Sequence, residues 1–244
     1  MTSTPAAPLL VLALFTACAA HERALEAAPP APKPAAPWPT ASEPVLRVGG
    51  DREARVTSER ATKDGEELVV WRHDRCAIDT PLPEGYPAPT PPGAIELKLY
   101  PLVRRAEVDA PKSSTGAFYP LLRHIQSRQI AMTSPVEMDY AAEDDGALRT
   151  QSMSFLYRRV EQGPAGATDS NVVVRDREET VVLSIGVRGP LGPEAFEQAL
   201  AALHATKAEH PEWLETGTVR TFEYNSPFVP PADRWAEVQL PVRR

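Results

Sequence analysis

The chain has 244 residues and a formal net charge of −7, with both charge signs interspersed along it. No run of Lys or Arg is present of the kind that tracks a phosphate backbone, so nucleic acid is excluded as an expected partner. Its two cysteines, Cys18 and Cys76, are too few and too oddly placed for a disulfide framework or a Cys-based zinc site.

The chain reads as four regions: 1–18, 19–44, 45–93 and 94–244. Leu9 to Ala20 is an apolar run of twelve residues. A bilayer span takes about 20 residues, so this run suits a signal-peptide h-region instead. Phe15-Thr16-Ala17 before Cys18 resembles a bacterial lipobox, in which small residues precede a cysteine that is lipidated and becomes the mature N-terminus. Phe15 stands where Leu is usual, and no Lys or Arg precedes the h-region. The expectation is an exported protein held to the membrane by a lipid on Cys18. Ala19 follows that cysteine, so the Asp associated with inner-membrane retention is missing, and in a cell with two membranes the outer one is favoured.

Residues 19–44 form a Pro/Ala-rich linker, with seven prolines between Pro29 and Pro44. Such a segment is extended and cannot form a packed core. In the 45–93 extension, Glu66 to Arg72 predicts a strand and Val45 to Val48 a weaker one, expected to pair as a hairpin against the main domain. Cys76 reads as an inert, part-buried thiol. Pro81 to Gly93 holds six prolines and predicts a surface loop or second linker.

From Ala94 the chain becomes periodic. Ile95, Leu97 and Leu99 alternate with Glu96 and Lys98 as a half-buried strand. Ser113 to Ser127 predicts a helix with Phe118, Leu121, Leu122 and Ile125 on one stripe and a cap among residues 113–115. Pro120 requires that this helix start close to Ala117. Gln129 to Tyr140 predicts a strand broken at Pro135, and Met153, Phe155 and Tyr157 mark another. The order then repeats. Val181 to Val187 predicts a strand, and Gly192-Pro193-Glu194 opens a helix with Phe196, Ala199, Leu200 and Leu203 on its stripe. Strands follow at 216–224 and 234–242. The fold class is therefore α+β: duplicated β-α-β-β units that bury two helices against one curved, mostly antiparallel sheet. The Ser134-Pro135 step is echoed at Asn225-Ser226-Pro227-Phe228.

The run Ile130-Ala131-Met132-Thr133-Ser134-Pro135-Val136 resembles the I-A-M-T-x-P-V element of the SOUL haem-binding family. Tyr224-Asn225-Ser226-Pro227-Phe228, then Pro230-Pro231, then Arg234-Trp235-Ala236-Glu237-Val238, resembles that family's Y-x-x-P-x-x-P-P…R-x-N-E-V ending. Ala236 replaces the usual Asn, a departure expected to touch one surface or turn contact. The resemblance covers residues 94–242 and implies a distorted, barrel-like antiparallel sheet with two helices, as in SOUL and effector-binding domains. It also implies non-covalent binding of haem, another tetrapyrrole or a comparable flat hydrophobic molecule in an apolar cleft. The residues expected to face that ligand are Phe118, Leu121, Leu122, His124, Ile125 and Met132. His124 is the candidate axial ligand, because neutral imidazole suits iron. It lies about 110° round from the centre of the helical stripe. The other histidines are His21 in the linker, His73 before the domain, and His204 and His210 in the second repeat.

No G-x-S-x-G, H-E-x-x-H or Gly-rich phosphate loop is present, and no spacing predicts a metal site directly. A binding protein is expected rather than an enzyme. The alternatives are a small-molecule hydrolase or effector-binding domain using the same cleft, and a structural envelope protein whose cleft is vestigial.

Overall fold

The computed structural model describes residues 37–244 except 64, 110–112, 145–146 and 169. The apolar run, the lipobox-like residues, Cys18 and His21 lie outside the described residues. In chain order, strands β1 (Val45–Gly50), β2 (Thr57–Lys63), β3 (Glu66–His73) and β4 (Cys76–Ile78) precede β5 (Ala94–Tyr100) and β6 (Val103–Asp109). Helix α1 (Ser114–Ser127) leads to β7 (Val136–Ala142) and β8 (Leu148–Leu156). Strands β9 (Gly166–Ala167), β10 (Val173–Arg177) and β11 (Thr180–Arg188) lead to helix α2 (Pro193–Ala208). Strands β12 (Leu214–Glu215), β13 (Val219–Glu223) and β14 (Trp235–Arg243) follow.

The fold is α+β, with two helices on one large antiparallel sheet. The sheet runs β1-β5-β11-β14-β13-β7-β8-β6-β10-β9, with β12 added to β14. Its two ends do not pair, so it is not closed into a barrel. The order is symmetric about the β13–β7 pair: β14, β11 and β5 on one side match β8, β6 and β10 on the other. Each repeat is thus β-β-α-β-β rather than β-α-β-β, and the two exchange their leading strands. β5 precedes β6 in the chain but pairs with β11, while β10 precedes β11 but pairs with β6. The extra strand β6 was hidden from periodicity because only Ala106 and Val108 mark its core face, where the third position is the charged Arg104, too short an apolar alternation to read.

Helix α1 begins where Ser113 accepts a hydrogen bond from the Gly116 N–H at 3.1 Å. This start places Pro120 inside the helix, one turn further in than expected. Pro120 forgoes one ladder bond, but the cap at Ser113 and the buried face of Ala117 and Leu121 hold the first turn. Helix α2 starts as expected, with Gly192 at the N-cap and Pro193 in the first turn. Each helix covers its own core. Leu121 and Ile125 pack on Ala106, Val108 and Phe155, and Leu203 and Ala199 pack on Leu97, Leu183 and Val238.

Two expectations for residues 45–93 change. β1 pairs with β5 and extends the main sheet, while the hairpin partner of β3 is β2. Thr57–Lys63 escapes sequence reading because it is polar on both faces and nearly all exposed. The Pro-rich stretch is not a linker either. It crosses the face of the sheet opposite the helices, where Thr90 is fully buried. A Cβ on Gly186 would sit 2.3 Å from the Thr90 carbonyl oxygen, so only glycine admits this approach.

That face is polar under its cover. Glu237 is 0% exposed and its carboxylate accepts from six donors. These are the Thr90 N–H at 2.6 Å, Lys98 Nζ at 3.3 Å, Tyr100 at 3.2 Å, Ser184 at 2.8 Å, Tyr224 at 2.8 Å and Gln239 at 2.6 Å. Burial pushes this carboxyl up, but Lys98 and the Thr90, Ser184 and Gln239 bonds outweigh it and hold it below the usual range. Lys98 is also 0% exposed. Replacing Lys98 by Ala leaves Glu237 charged and buried without its cation, so a loss of about 3–5 kcal/mol is expected in urea unfolding. A loss under about 1 kcal/mol would contradict this account.

Candidate functional site

A cleft of 540 Å³ opens on the helix side of the sheet beside α1. Phe118, Tyr119 and Leu122 of α1 form one wall, and Met138 and Met153 lie opposite each other on β7 and β8 as its floor. The Met132–Ser134 segment and the Tyr224–Phe228 turn form the other walls, with Thr80 of the extension at the back. The lining is mainly apolar. All three methionines among the described residues are on it, and their flexible thioethers suit aromatic ring faces. Phe228 is 96% exposed and Tyr119 60% exposed at the rim.

The walls are fixed by specific bonds. Thr133 Oγ1 donates to the Leu156 carbonyl at 2.5 Å, and Ser134 Oγ donates to the Tyr224 carbonyl at 2.7 Å. The Ser134 N–H donates to the Pro81 carbonyl at 2.9 Å. Asn225 Nδ2 donates to the Ala77 carbonyl at 2.7 Å, and its Oδ1 accepts from the Trp235 N–H at 2.7 Å. The two Ser-Pro echoes therefore meet across the cleft, and the extension is part of its frame. Residues 130–135 are not a strand. Gln129 turns at φ 56°, Ser134–Pro135 is cis, and the strand begins at Val136.

Of the six residues singled out from the sequence, Phe118, Leu122 and Met132 line the cleft. Leu121 (0% exposed) and Ile125 (3%) lie in the core beneath α1. His124 is 4% exposed and is also turned under the helix, away from the cleft. Its Nε2 pairs with the Tyr157 hydroxyl at 2.8 Å. The expectation that His124 reaches the cleft from a boundary position fails for a geometric reason. The buried face of α1 is Ala117, Leu121, His124 and Ile125, and the flanking Phe118 and Leu122 widened the apolar stripe toward the cleft. The other histidines among the described residues are also outside the lining. His73 bonds the Arg55 carbonyl at 2.8 Å, His204 faces Glu215 at 3.8 Å, and His210 stacks on Trp213 at 3.8 Å. Met138, Met153, Thr80, Glu223 and Phe228 were missed. The repeated Ser-Pro step was the one signal that pointed to the turn carrying Phe228.

Glu223 is the one lining residue with a carboxylate or a cationic group. Solvent reaches its side chain, yet burial against the walls raises its carboxyl above the usual range, and Arg234 counters this in part. A second groove of 540 Å³ lies on the polar side of the sheet and includes Arg105, Asp139, Arg177 and Ser152. Arg105 and Arg177 both donate to Asp139, at 2.8 and 2.6 Å, and both pair with Glu137. These charges pair with one another, although Arg105 Nε, Arg177 Nε and Glu137 Oε2 are buried without a hydrogen-bond partner. Among the described residues no group of three His, Cys, Asp or Glu is placed to hold a metal ion.

The family model described as SOUL heme-binding protein matches residues 88–241. The chain belongs to the SOUL heme-binding family. A comparison with curated proteins gives no match. Among solved structures, the SOUL domain is similar to the EcmrR C-terminal domain, at 15% identity and a TM-score of 0.46, covering 62% of this chain and 97% of that one. It is similar to a hydrolase from Listeria innocua at 16% identity and a TM-score of 0.46, covering 64% and 94%. It also matches the EcmrR chain of a DNA complex, at 14% identity and a TM-score of 0.47, covering 62% of this chain and spanning 57% of that chain's length. The Ala236 departure from the SOUL ending is the second residue of β14, 3% exposed and opposite Glu223 in the β13–β14 register, so it is a buried strand position and not a surface or turn contact.

Burial, and then the nearby Arg128, hold the His124 imidazole below its usual pKa of 6.5. The unfolded chain takes up that proton near pH 6.5 before the folded chain does. The contribution is therefore present above pH 6.5 and is lost as pH falls from there through the lowered folded value. Asp139 and Glu237, whose carboxyls are also lowered, titrate below this window. His124→Phe is expected to reduce the stability difference between pH 7.5 and pH 5 in chemical denaturation. An unchanged difference would contradict the assignment.

Proposed function

We propose that this SOUL-family protein binds haem or a related tetrapyrrole, non-covalently, in the cleft beside α1. The observation that supports this most is the match between cleft and ligand type: an apolar, Met-floored space with aromatic side chains at its rim. Burial of ring faces contributes about 25 cal/mol per Å² before the costs of association. Binding by ring burial asks for no axial ligand, and none of the histidines of the described chain is among the cleft residues. We accordingly assign His124 a packing role. The protein would hold, buffer or hand on its ligand. The enzyme reading has one observation in its favour, the raised carboxyl of Glu223, but no nucleophile accompanies it in a recognisable arrangement.

Titration of the intact protein with haemin, followed at the Soret band, is expected to saturate in the micromolar range. Leu122→Glu should weaken binding at least about tenfold, because it puts a charge on a ring-contact wall, and His124→Phe should leave the spectrum and affinity unchanged. No saturable binding by the wild-type protein would defeat the proposal.

We further propose that the protein is exported and anchored by lipid on Cys18, with the Pro/Ala linker as its tether. Among the described residues no helix is long and apolar enough to cross a membrane. The anchor reading rests on the lipobox-like sequence. Cys18→Ala is expected to move the protein from the membrane fraction to the soluble fraction. Retention in membranes would contradict it.

A further inference from the structure

The cleft has one electrostatic feature. Glu223 is its single anionic residue, and no Arg, Lys or His is on its walls. The position is set by the sheet. Glu223 pairs with Val136 of β7, which also lines the cleft, while the preceding Phe222 points to the opposite face and packs with Tyr86 and Tyr100. No other described side chain makes an ion pair or hydrogen bond with the Glu223 carboxylate. Arg234, the cation that acts on it, donates to the carbonyls of Val229 and Pro227 at 2.9 and 2.6 Å and so holds the adjoining turn. A ligand entering this cleft therefore meets a lone negative charge and no positive one.

We propose that Glu223 makes the cleft selective for flat ring ligands of low negative charge, with any carboxylate side chains of a bound tetrapyrrole turned outward past Tyr119 and Phe228. The proposal rests on the cleft being the ligand site and adds the charge class of what it admits. A ligand carboxylate placed beside Glu223 is repelled and a neutral or cationic edge is not. For unit charges about 6 Å apart, the discrimination is ~3-fold in a water-like dielectric and ~100-fold at an effective dielectric near 20.

Haemin and haemin dimethyl ester share one ring and one iron and differ in two carboxylates, so they isolate this effect. Both are titrated into the intact wild-type protein, Glu223→Gln and Glu179→Gln. Glu179 is an exposed carboxylate outside the cleft lining and controls for net charge. The expected result is that Glu223→Gln shifts the ester-to-haemin affinity ratio toward haemin by at least about threefold, while Glu179→Gln leaves it at the wild-type value. A ratio unmoved by Glu223→Gln, or moved equally by Glu179→Gln, overturns the charge selection and leaves the cleft as the binding site. If neither ligand binds the wild-type protein, both the selection and the cleft reading fail.

Discussion

The buried carboxylate of Glu237 is the constraint on which this structure turns. A charge at 0% exposure is tolerated only when the fold supplies its partners, and six groups from five segments converge on it. Lys98 and Tyr100 come from β5, Ser184 from β11, Gln239 from its own strand, Tyr224 from the edge of the cleft and Thr90 from the Pro-rich stretch. A chain that satisfies Glu237 has brought β5 from the first repeat onto β11 of the second and has laid the extension across the sheet. The strand exchange and this network are therefore two descriptions of one requirement, and neither repeat can meet it alone.

The cleft inherits its shape from the same arrangement. Tyr224 gives its hydroxyl to Glu237 and its carbonyl to Ser134, so the hub on one side of the sheet fixes the cleft wall on the other. The extension, held down at Thr90, supplies the carbonyls of Ala77 and Pro81 that hold Asn225 and Ser134. Much of the extension precedes the family-matched segment, which begins at residue 88. The cleft of this protein is thus framed partly by residues that precede the family-matched segment.

Much of this was legible in the sequence. Alternation marked β5 and β11, a strand was read at 234–242 where β14 lies, and cap and proline signals placed the start of α2 to the residue. The Met-Thr-Ser-Pro and Tyr-Asn-Ser-Pro steps stood out, and they prove to be hydrogen-bonded to each other. What was not legible has separate causes. β6 offers only Ala106 and Val108 as an apolar signal, β2 is polar on both faces and exposed, and Pro81 to Gly93 looked like a loop or linker because the burial of Thr90 depends on Glu237, which is distant in sequence. Helix α1 misled differently. Phe118 and Leu122 pack on the edge of the core and also face the cleft, and counting them as the centre of the stripe rotated it and left His124 outside. Periodicity cannot separate the fully buried face of a helix from a flank that also borders a cleft.

The central claim is that the cleft beside α1, framed by these bonds, is where a tetrapyrrole sits. A crystal structure of the intact protein grown with haemin is the most direct measurement. The account predicts a ring against Phe118, Leu122 and Met132, with its propionates at the Tyr119–Phe228 rim and the His124–Tyr157 hydrogen bond intact. Haem seated in the polar groove near Arg105 and Arg177, or iron bound by His124, would contradict it.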